Sequence, residues 1–206
     1  MKRIAALALL AAAAQGATFE TWEAFDAPLI SVGSTSVVFH TQFRQRQRLR
    51  DFFYARFGPV ARHRVSPRLS LVGGYYFGEV EDSPATWGDN HRLFGGVEMP
   101  FPTRCGLISV RHMVEDHFGG PTSTEIRNRT QFQLSRPVRA WTTFGGAEVF
   151  FDQRGFMQQR FLTGMRIPLT SSYRMDVIYL FDAKVQRVGE SRHVIQAAFR
   201  PRSKER

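Results

Sequence analysis

The sequence predicts an all-β fold, namely an antiparallel up-and-down transmembrane β-barrel of about 10 strands, within a range of about 8–12, behind an N-terminal signal peptide. Three observations support this prediction. Apolar and polar side chains alternate with a period of two through most of the chain, as they do in strands, where successive side chains point to opposite faces. Turn prolines recur at nearly even intervals. Beyond the first residues, no apolar run of about 18 residues occurs, so a spanning helix is not expected.

The first residues have the pattern of a secretory signal peptide, which we assign to residues 1–16. Lys2 and Arg3 form a basic start, residues 4–14 are apolar, and small residues follow. Residues 17–33 are weakly patterned, and we expect them to form an N-terminal periplasmic arm.

The barrel domain is predicted over residues 34–200, and a basic C-terminal tail over 201–206. Its strands are expected at about 34–46, 52–62, 68–80, 91–99, 107–115, 125–134, 139–150, 156–167, 173–183 and 191–200. The polar segments 81–90 and 184–190 are expected to be loops.

Prolines mark every second connection between these strands. The intervals between Pro67, Pro102, Pro137, Pro168 and Pro201 are 35, 35, 31 and 33 residues, and each interval holds two strands and one loop. Proline fits a turn because inside a strand it removes a ladder hydrogen bond. A helical repeat of similar length is rejected because it would show a 3.6-residue period. An even strand count would place both chain ends in the periplasm.

Residues 107–134 show the two faces most clearly. Ile108 and Val114 share an apolar face, whereas Arg111 and Glu115 lie on the opposite, charged face. In a membrane barrel the apolar face meets lipid, with aromatic residues near both interfaces, and the polar face lines the lumen. Aromatic residues make up 13% of the chain, which suits this arrangement. The alternative is a soluble lipocalin-like binding barrel, in which the apolar face would point inward.

Twelve charged residues are predicted to line the lumen. They are Arg44, Arg92, Glu98, Arg111, Glu115, Glu125, Arg127, Arg129, Glu148, Arg160, Arg166 and Asp176. Buried charges are costly unless they are paired, so we expect an interlocked arginine–carboxylate network that fills a narrow interior. Within it, Glu115 is expected to pair with Arg127 or Arg129, and Arg111 with Glu98.

This pattern indicates a structural or unassigned, non-enzymatic barrel with a charged and largely plugged lumen. Because arginines outnumber acids on the charged face, a small anion-preferring pore or transport channel is the second hypothesis. Ser109 and His112 lie on opposite faces, and His40 shares a face with Ser36 but has no acid nearby in sequence. His112 and His117 also point to opposite faces of a strand, so we expect no metal site and no cofactor.

The charge distribution indicates which partners the chain meets. The formal charge is +10, but the arginines are spread along the strands, which argues against nucleic acid. The expected location is the bacterial outer membrane. The expected partners are outer-membrane lipid, lipopolysaccharide and the barrel-insertion machinery, and the sequence identifies no small-molecule ligand. The single Cys105 rules out an internal disulfide framework.

Several short stretches resemble the DUF2490 family of bacterial outer-membrane barrels. They are residues 91–94 (HRLF), Val110-Arg111 with Glu115, 127–129 (RNR), 147–151 (AEVFF) and 159–161 (QRF). The resemblance spans residues 90–199 and implies an outer-membrane barrel with no assigned chemistry. One departure concerns the C-terminus, since Phe199 is followed by seven residues, whereas barrel chains often end on an aromatic residue that the insertion machinery reads.

Overall fold

The computed structural model describes residues 18–46, 51–83, 86–119, 125–184 and 191–202. In this part of the chain, eleven strands form one closed barrel. The strands are β1 (Thr18–Val32), β2 (Thr35–Arg46), β3 (Asp51–Ser66), β4 (Leu69–Ser83), β5 (Thr86–Thr103), β6 (Gly106–Phe118), β7 (Glu125–Val138), β8 (Trp141–Asp152), β9 (Gly155–Pro168), β10 (Tyr173–Lys184) and β11 (Ser191–Pro201). The predicted all-β, mostly antiparallel barrel is confirmed, and eleven strands fall within the expected range of about 8–12. The signal peptide predicted at 1–16 and tail residues 203–206 lie outside the described residues.

Each strand pairs antiparallel with the next one along the chain, but the barrel closes through a parallel pair. Strand β1 lies parallel to β11, with Thr18 beside Arg192 and Phe25 beside Phe199. Two predictions are therefore wrong. Residues 18–32 form a barrel strand and not an arm, and the odd strand count places the start of β1 and the end of β11 at opposite ends of the barrel.

The two ends of the barrel differ in their connections. Residues 33–34, 67–68, 104–105, 139–140 and 169–172 connect strands at one end, which we call the turn end. The connections at the other end, the loop end, include 153–154 and the positions 47–50, 84–85, 120–124 and 185–190. The loop predicted at 81–90 is mostly strand, because β4 continues to Ser83 and β5 begins at Thr86 in register with it. Its polar residues extend a hairpin at the loop end.

The barrel wall separates two chemically different faces. Large apolar side chains on every strand are exposed on the outside, among them Leu93, Phe132, Phe161 and Ile195. The residues that alternate with them point into the lumen, where Glu115, Glu148 and Asp182 are buried. The interior of the barrel therefore contains buried charged groups beside apolar ones, enclosed by an apolar outer surface.

The lumen also contains an apolar cluster that the sequence pattern did not predict. Trp22, Phe144, Leu162, Leu180 and Val194 pack together inside the barrel. Gly164 on β9 lets this cluster pack closely. A Cβ at this position would lie 2.8 Å from the ring of Phe144 on β8 and closer still to the backbone oxygen of Val177 on β10. A phenyl ring over a glycine on the adjacent strand fills the space that a side chain would otherwise take.

Candidate functional site in the barrel lumen

All twelve residues predicted to line the lumen lie at inward-facing positions. Each occupies the same alternating register as a buried residue of its own strand, as Arg111 and Glu115 do on either side of Met113. The structure also shows which residues these charged side chains bind, and the partners differ between the two halves of the lumen.

Glu115 is the centre of the half nearer the loop end. Its side chain is 2% exposed, and its carboxylate lies 3.2 Å from Nη1 of Arg129, 3.6 Å from Nη1 of Arg92 and 3.1 Å from Nε2 of His117. The expected pairing with Arg129 is present. Arg127 instead pairs with Glu125 on its own strand, at 3.3 Å.

Glu148 joins this centre to the strands that follow. Its carboxylate lies 2.9 Å from Nη1 of Arg160, 3.2 Å from Nε of Arg129 and 3.9 Å from Nη2 of Arg111, and its side chain is 3% exposed. Arg129 therefore bridges Glu115 and Glu148. Arg111 and Glu98 form no ion pair within 4.0 Å in the described part of the chain, where Glu98 binds Arg62 at 2.8 Å.

The network continues through residues that the sequence analysis did not select. Asp182 accepts hydrogen bonds from Arg192 at 2.9 Å, from Arg160 at 3.3 Å and from Gln158. Arg192 also donates to Glu20 at 3.1 Å, which connects β11 to β1. Asp182 and Arg192 share the inward register of their strands, so the alternation alone could have identified them. Glu20 was missed because its segment was taken for an arm.

The ring of Trp22 contacts the guanidinium groups of three lumen arginines. Its ring centre lies 4.0 Å from the guanidinium of Arg44, 5.5 Å from that of Arg160 and 5.9 Å from that of Arg192. Arg44 lies between Trp22 and Tyr54, whose ring centre is 4.3 Å away. A cation over an aromatic face is attracted by the ring quadrupole, and Arg44 also donates to Gln42 at 3.0 Å, so rings and an amide oxygen stabilise it.

The half of the lumen nearer the turn end has a separate set of ion pairs. Asp176 lies 3.0 Å from Nε of Arg174 and 3.6 Å from Nη1 of Arg200. Arg166 packs its guanidinium over the ring of Phe144 at 4.9 Å. Among the residues that the structure describes, Arg166 forms no ion pair within 4.0 Å.

The histidines of the lumen also have defined partners. Nδ1 of His40 lies 2.6 Å from Asp26, so the structure supplies an acid that the sequence did not show. The second ring nitrogen faces Arg56 at 3.4 Å and not a serine. This arrangement lacks the nucleophile of a hydrolase triad. Within the described ranges, no group of three or more His, Cys, Asp or Glu side chains is placed to hold a metal ion.

Comparison with known proteins assigns the family. The model of the DUF2490 family, described as a protein of unknown function, matches residues 25–192. The chain belongs to this family. The match includes the charged lumen residues on β2 to β10.

Other comparisons add little to this assignment. No curated protein matches the chain. Among solved structures, the siderophore receptor PirA from Pseudomonas aeruginosa is similar over 82% of this chain and 35% of its own, with 10% identity and a TM-score of 0.33. The chain thus spans about a third of that receptor's length. No helix in the described part of the chain is long and apolar enough to cross a membrane.

Proposed function

We propose that this chain is a bacterial outer-membrane β-barrel with a structural, non-enzymatic role, exported by its signal peptide and closed inside by its own side chains. The proposal rests on one observation: apolar side chains lie on the outside of the barrel and charged ones inside, the reverse of a soluble protein. Exposed phenylalanines and leucines cover the outside, while Glu115, Glu148 and Asp182 are buried inside. A soluble monomer rarely exposes so large an apolar surface to water, whereas a barrel in lipid needs one.

The ends of the barrel support a membrane position. Phe52, Trp87, Phe118 and Phe151 are exposed near the loop end, and Phe101 and Trp141 near the turn end. Aromatic residues prefer both membrane interfaces, because their rings are apolar and polarisable while the interface is partly hydrated. A soluble lipocalin-like barrel would have the opposite distribution, with apolar residues inside.

A charge placed on the outer face distinguishes lipid from water. Phe132 lies at the middle of β7 with 52% of its surface exposed. We expect Phe132→Arg to lower the free energy of unfolding in lipid vesicles by about 2–4 kcal/mol, because arginine near the bilayer midplane is costly. Phe132→Leu is the matched control. On a water-exposed surface the arginine variant would change stability by only about 0.5 kcal/mol, which would overturn the membrane proposal.

Cell fractionation tests the location directly. The protein should partition with outer membranes and show heat-modifiable mobility on a detergent gel, because a folded barrel resists detergent until it is heated. Its recovery as a soluble periplasmic protein would favour the lipocalin-like alternative.

The second candidate is a narrow anion-preferring pore, which the surplus of arginine in the lumen favours. We place it behind the closed barrel because Trp22, Leu180 and Val194 are buried in the lumen together with the ion pairs. In a planar bilayer the purified protein should give no discrete conductance steps. Anion-preferring steps would replace the closed-barrel proposal with the pore.

A further inference from the structure

The turn end of the barrel is rich in exposed arginine. Its connections read GS (33–34), PR (67–68), RC (104–105), RA (139–140) and LTSS (169–172), so three of the five contain an arginine and none contains an acid. A fourth exposed arginine lies near the end of β7. We call these residues the turn-end arginines: Arg68, Arg104, Arg136 and Arg139. Among the residues that the structure describes, none of the four forms an ion pair within 4.0 Å.

The two acids nearest to the turn end along the strands have other partners. Glu98 binds Arg62 at 2.8 Å, and Asp176 binds Arg174 at 3.0 Å. Both acids face the lumen, whereas the turn-end arginines are exposed. The turn-end arginines therefore give this end of the barrel a positive surface.

Arg139 occupies a backbone conformation that favours glycine. Its φ is +56°, the same value that Gly33 has in the β1–β2 connection, and no other non-glycine residue in the described part of the chain has a positive φ. A side chain is crowded against the backbone in this region, whereas glycine adopts it freely. A strained residue that makes no ion pair within the chain indicates a role for its exposed guanidinium group outside the chain.

The β7–β8 hairpin places two of these arginines beside an exposed tryptophan. Trp141 faces outward at the start of β8, opposite Val138 in the register, and is 50% exposed. Arg136 lies at the next outward position along β7 after Leu134, and Arg139 lies in the turn itself. In membrane proteins, tryptophan rings lie at the level of the headgroups, where nearby arginines meet the lipid phosphates.

The other outward-facing tryptophan has acidic neighbours. Trp87 lies on β5 at the loop end and is 41% exposed. Asp89 is two residues away on the same face, and it lies directly opposite Glu79 of β4 in the register. Both acids are exposed, and neither forms an ion pair within 4.0 Å in the described part of the chain. The outer surface therefore carries charges of opposite sign beside its two tryptophans.

We propose that the turn-end arginines bind the phosphate groups of anionic phospholipids in the membrane leaflet at the turn end, an inference that rests on the proposed membrane location. Each arginine binds a separate headgroup, because guanidinium donates two parallel hydrogen bonds to one phosphate. A zwitterionic headgroup carries its own cation, so the arginines prefer an anionic one. The short connections of outer-membrane barrels face the periplasm, where the leaflet consists of phospholipid.

Quenching of tryptophan by brominated lipid measures this preference at each end separately. Trp22→Phe combined with Trp87→Phe leaves Trp141 as the only tryptophan, and Trp22→Phe combined with Trp141→Phe leaves Trp87. The mature barrel is reconstituted in phosphatidylcholine vesicles that contain either brominated phosphatidylcholine or brominated phosphatidylglycerol. Because both leaflets have the same composition, each tryptophan reports on its own end of the barrel in either orientation.

We expect phosphatidylglycerol to be enriched about fivefold or more over phosphatidylcholine beside Trp141, because one arginine near an anionic surface contributes about that factor. Beside Trp87 it should not be enriched. Salt at about 0.5 M should reduce the enrichment, since exposed charges are screened. Arg136→Gln combined with Arg139→Gln should remove it. Arg139→Gly should also lower it while the barrel keeps its heat-modifiable mobility, since glycine suits this turn.

Arg154→Gln is the matched control, because it removes an exposed arginine in the 153–154 turn at the loop end. It should leave the lipid preference at Trp141 unchanged. Equal quenching of Trp141 by both brominated lipids would overturn the inference, as would a loss of preference in Arg154→Gln equal to that of the turn-end variants. If neither lipid quenches either tryptophan, the membrane location itself is wrong, and this inference with it.

Discussion

Glu115 offers the sharpest test of the closed lumen. Its carboxylate lies 3.2 Å from Arg129 and 3.6 Å from Arg92, and its side chain is 2% exposed. Replacing it with glutamine keeps the volume and a hydrogen-bonding group for His117 but removes the charge. Arg129 retains Glu148 as a partner, whereas the only ion pair of Arg92 in the described part of the chain is the one with Glu115. The variant therefore leaves Arg92 as an uncompensated buried charge.

The magnitude follows from that burial. Removing one member of a buried ion pair costs about 3–5 kcal/mol, so Glu115→Gln should lower the free energy of unfolding by about that amount. Urea unfolding in lipid vesicles, followed by tryptophan fluorescence, provides the measurement. Adding Arg92→Met should restore part of the loss, because the uncompensated charge is removed and an apolar side chain of similar length takes its place.

The double-mutant cycle has an internal control. Arg62 lies on β3 and binds Glu98 at 2.8 Å toward the turn end, so Arg62→Met should show no coupling with Glu115→Gln. Coupling between contacting residues is about 0.5–3 kcal/mol, which is measurable against this control. A loss of only about 0–1 kcal/mol for Glu115→Gln, with no coupling to Arg92, is the behaviour of a hydrated pair and would refute the closed lumen.

Two further predictions follow from the fold. Gly164→Ala should destabilise the barrel by about 1–3 kcal/mol, because its Cβ would lie 2.8 Å from the ring of Phe144. Gly145→Ala should be close to neutral, because the nearest atom to its Cβ would be 3.8 Å away. Equal melting temperatures for the two variants in detergent would contradict the close approach of the strands at Gly164. The parallel closure predicts that epitope tags placed before Thr18 and after the last residue are on opposite sides of the membrane, so antibodies should label only one of them on intact cells and both after permeabilisation. Labelling of neither tag on intact cells, with both labelled after permeabilisation, would indicate an even-stranded barrel.

Strand β1 was not predicted from the sequence, because neither of its faces is uniformly apolar or polar. Its inward residues include Glu20 and Trp22, and its outward residues include Glu23 and Phe25. Both faces therefore mix polar and apolar side chains, and the contrast that marks the other strands is absent. Its partner β11 lies at the far end of the chain, so no local signal reveals the closing pair.

The lumen was predictable by position but not by pairing. Alternation placed all twelve selected charges on the inner face, because a period of two fixes which side chains share a face. Partner choice depends on the reach of long arginine side chains across tilted strands. Arg111 and Glu98 are directly opposite in the register, yet Arg111 reaches Glu148 on β8, two strands away, and Glu98 is held by Arg62 on β3.

The ion pairs in the half of the lumen nearer the loop end also bear on how the barrel closes. The seam between β1 and β11 is the one parallel pair, and parallel ladders are slightly less stable per residue than antiparallel ones. Lumen contacts reinforce this seam, because Arg192 of β11 binds Glu20 of β1 at 3.1 Å and Trp22 packs with Val194.

These contacts continue directly into the network around Asp182 and Arg160. In the proposed membrane location, lipid is as apolar as leucine, so burying apolar side chains in the lumen rather than in lipid gives little specificity for closure. Directional ion pairs across the seam can supply that specificity, because Arg192 binds Glu20 at 3.1 Å and Arg200 lies 3.6 Å from Asp26, both joining β11 to β1.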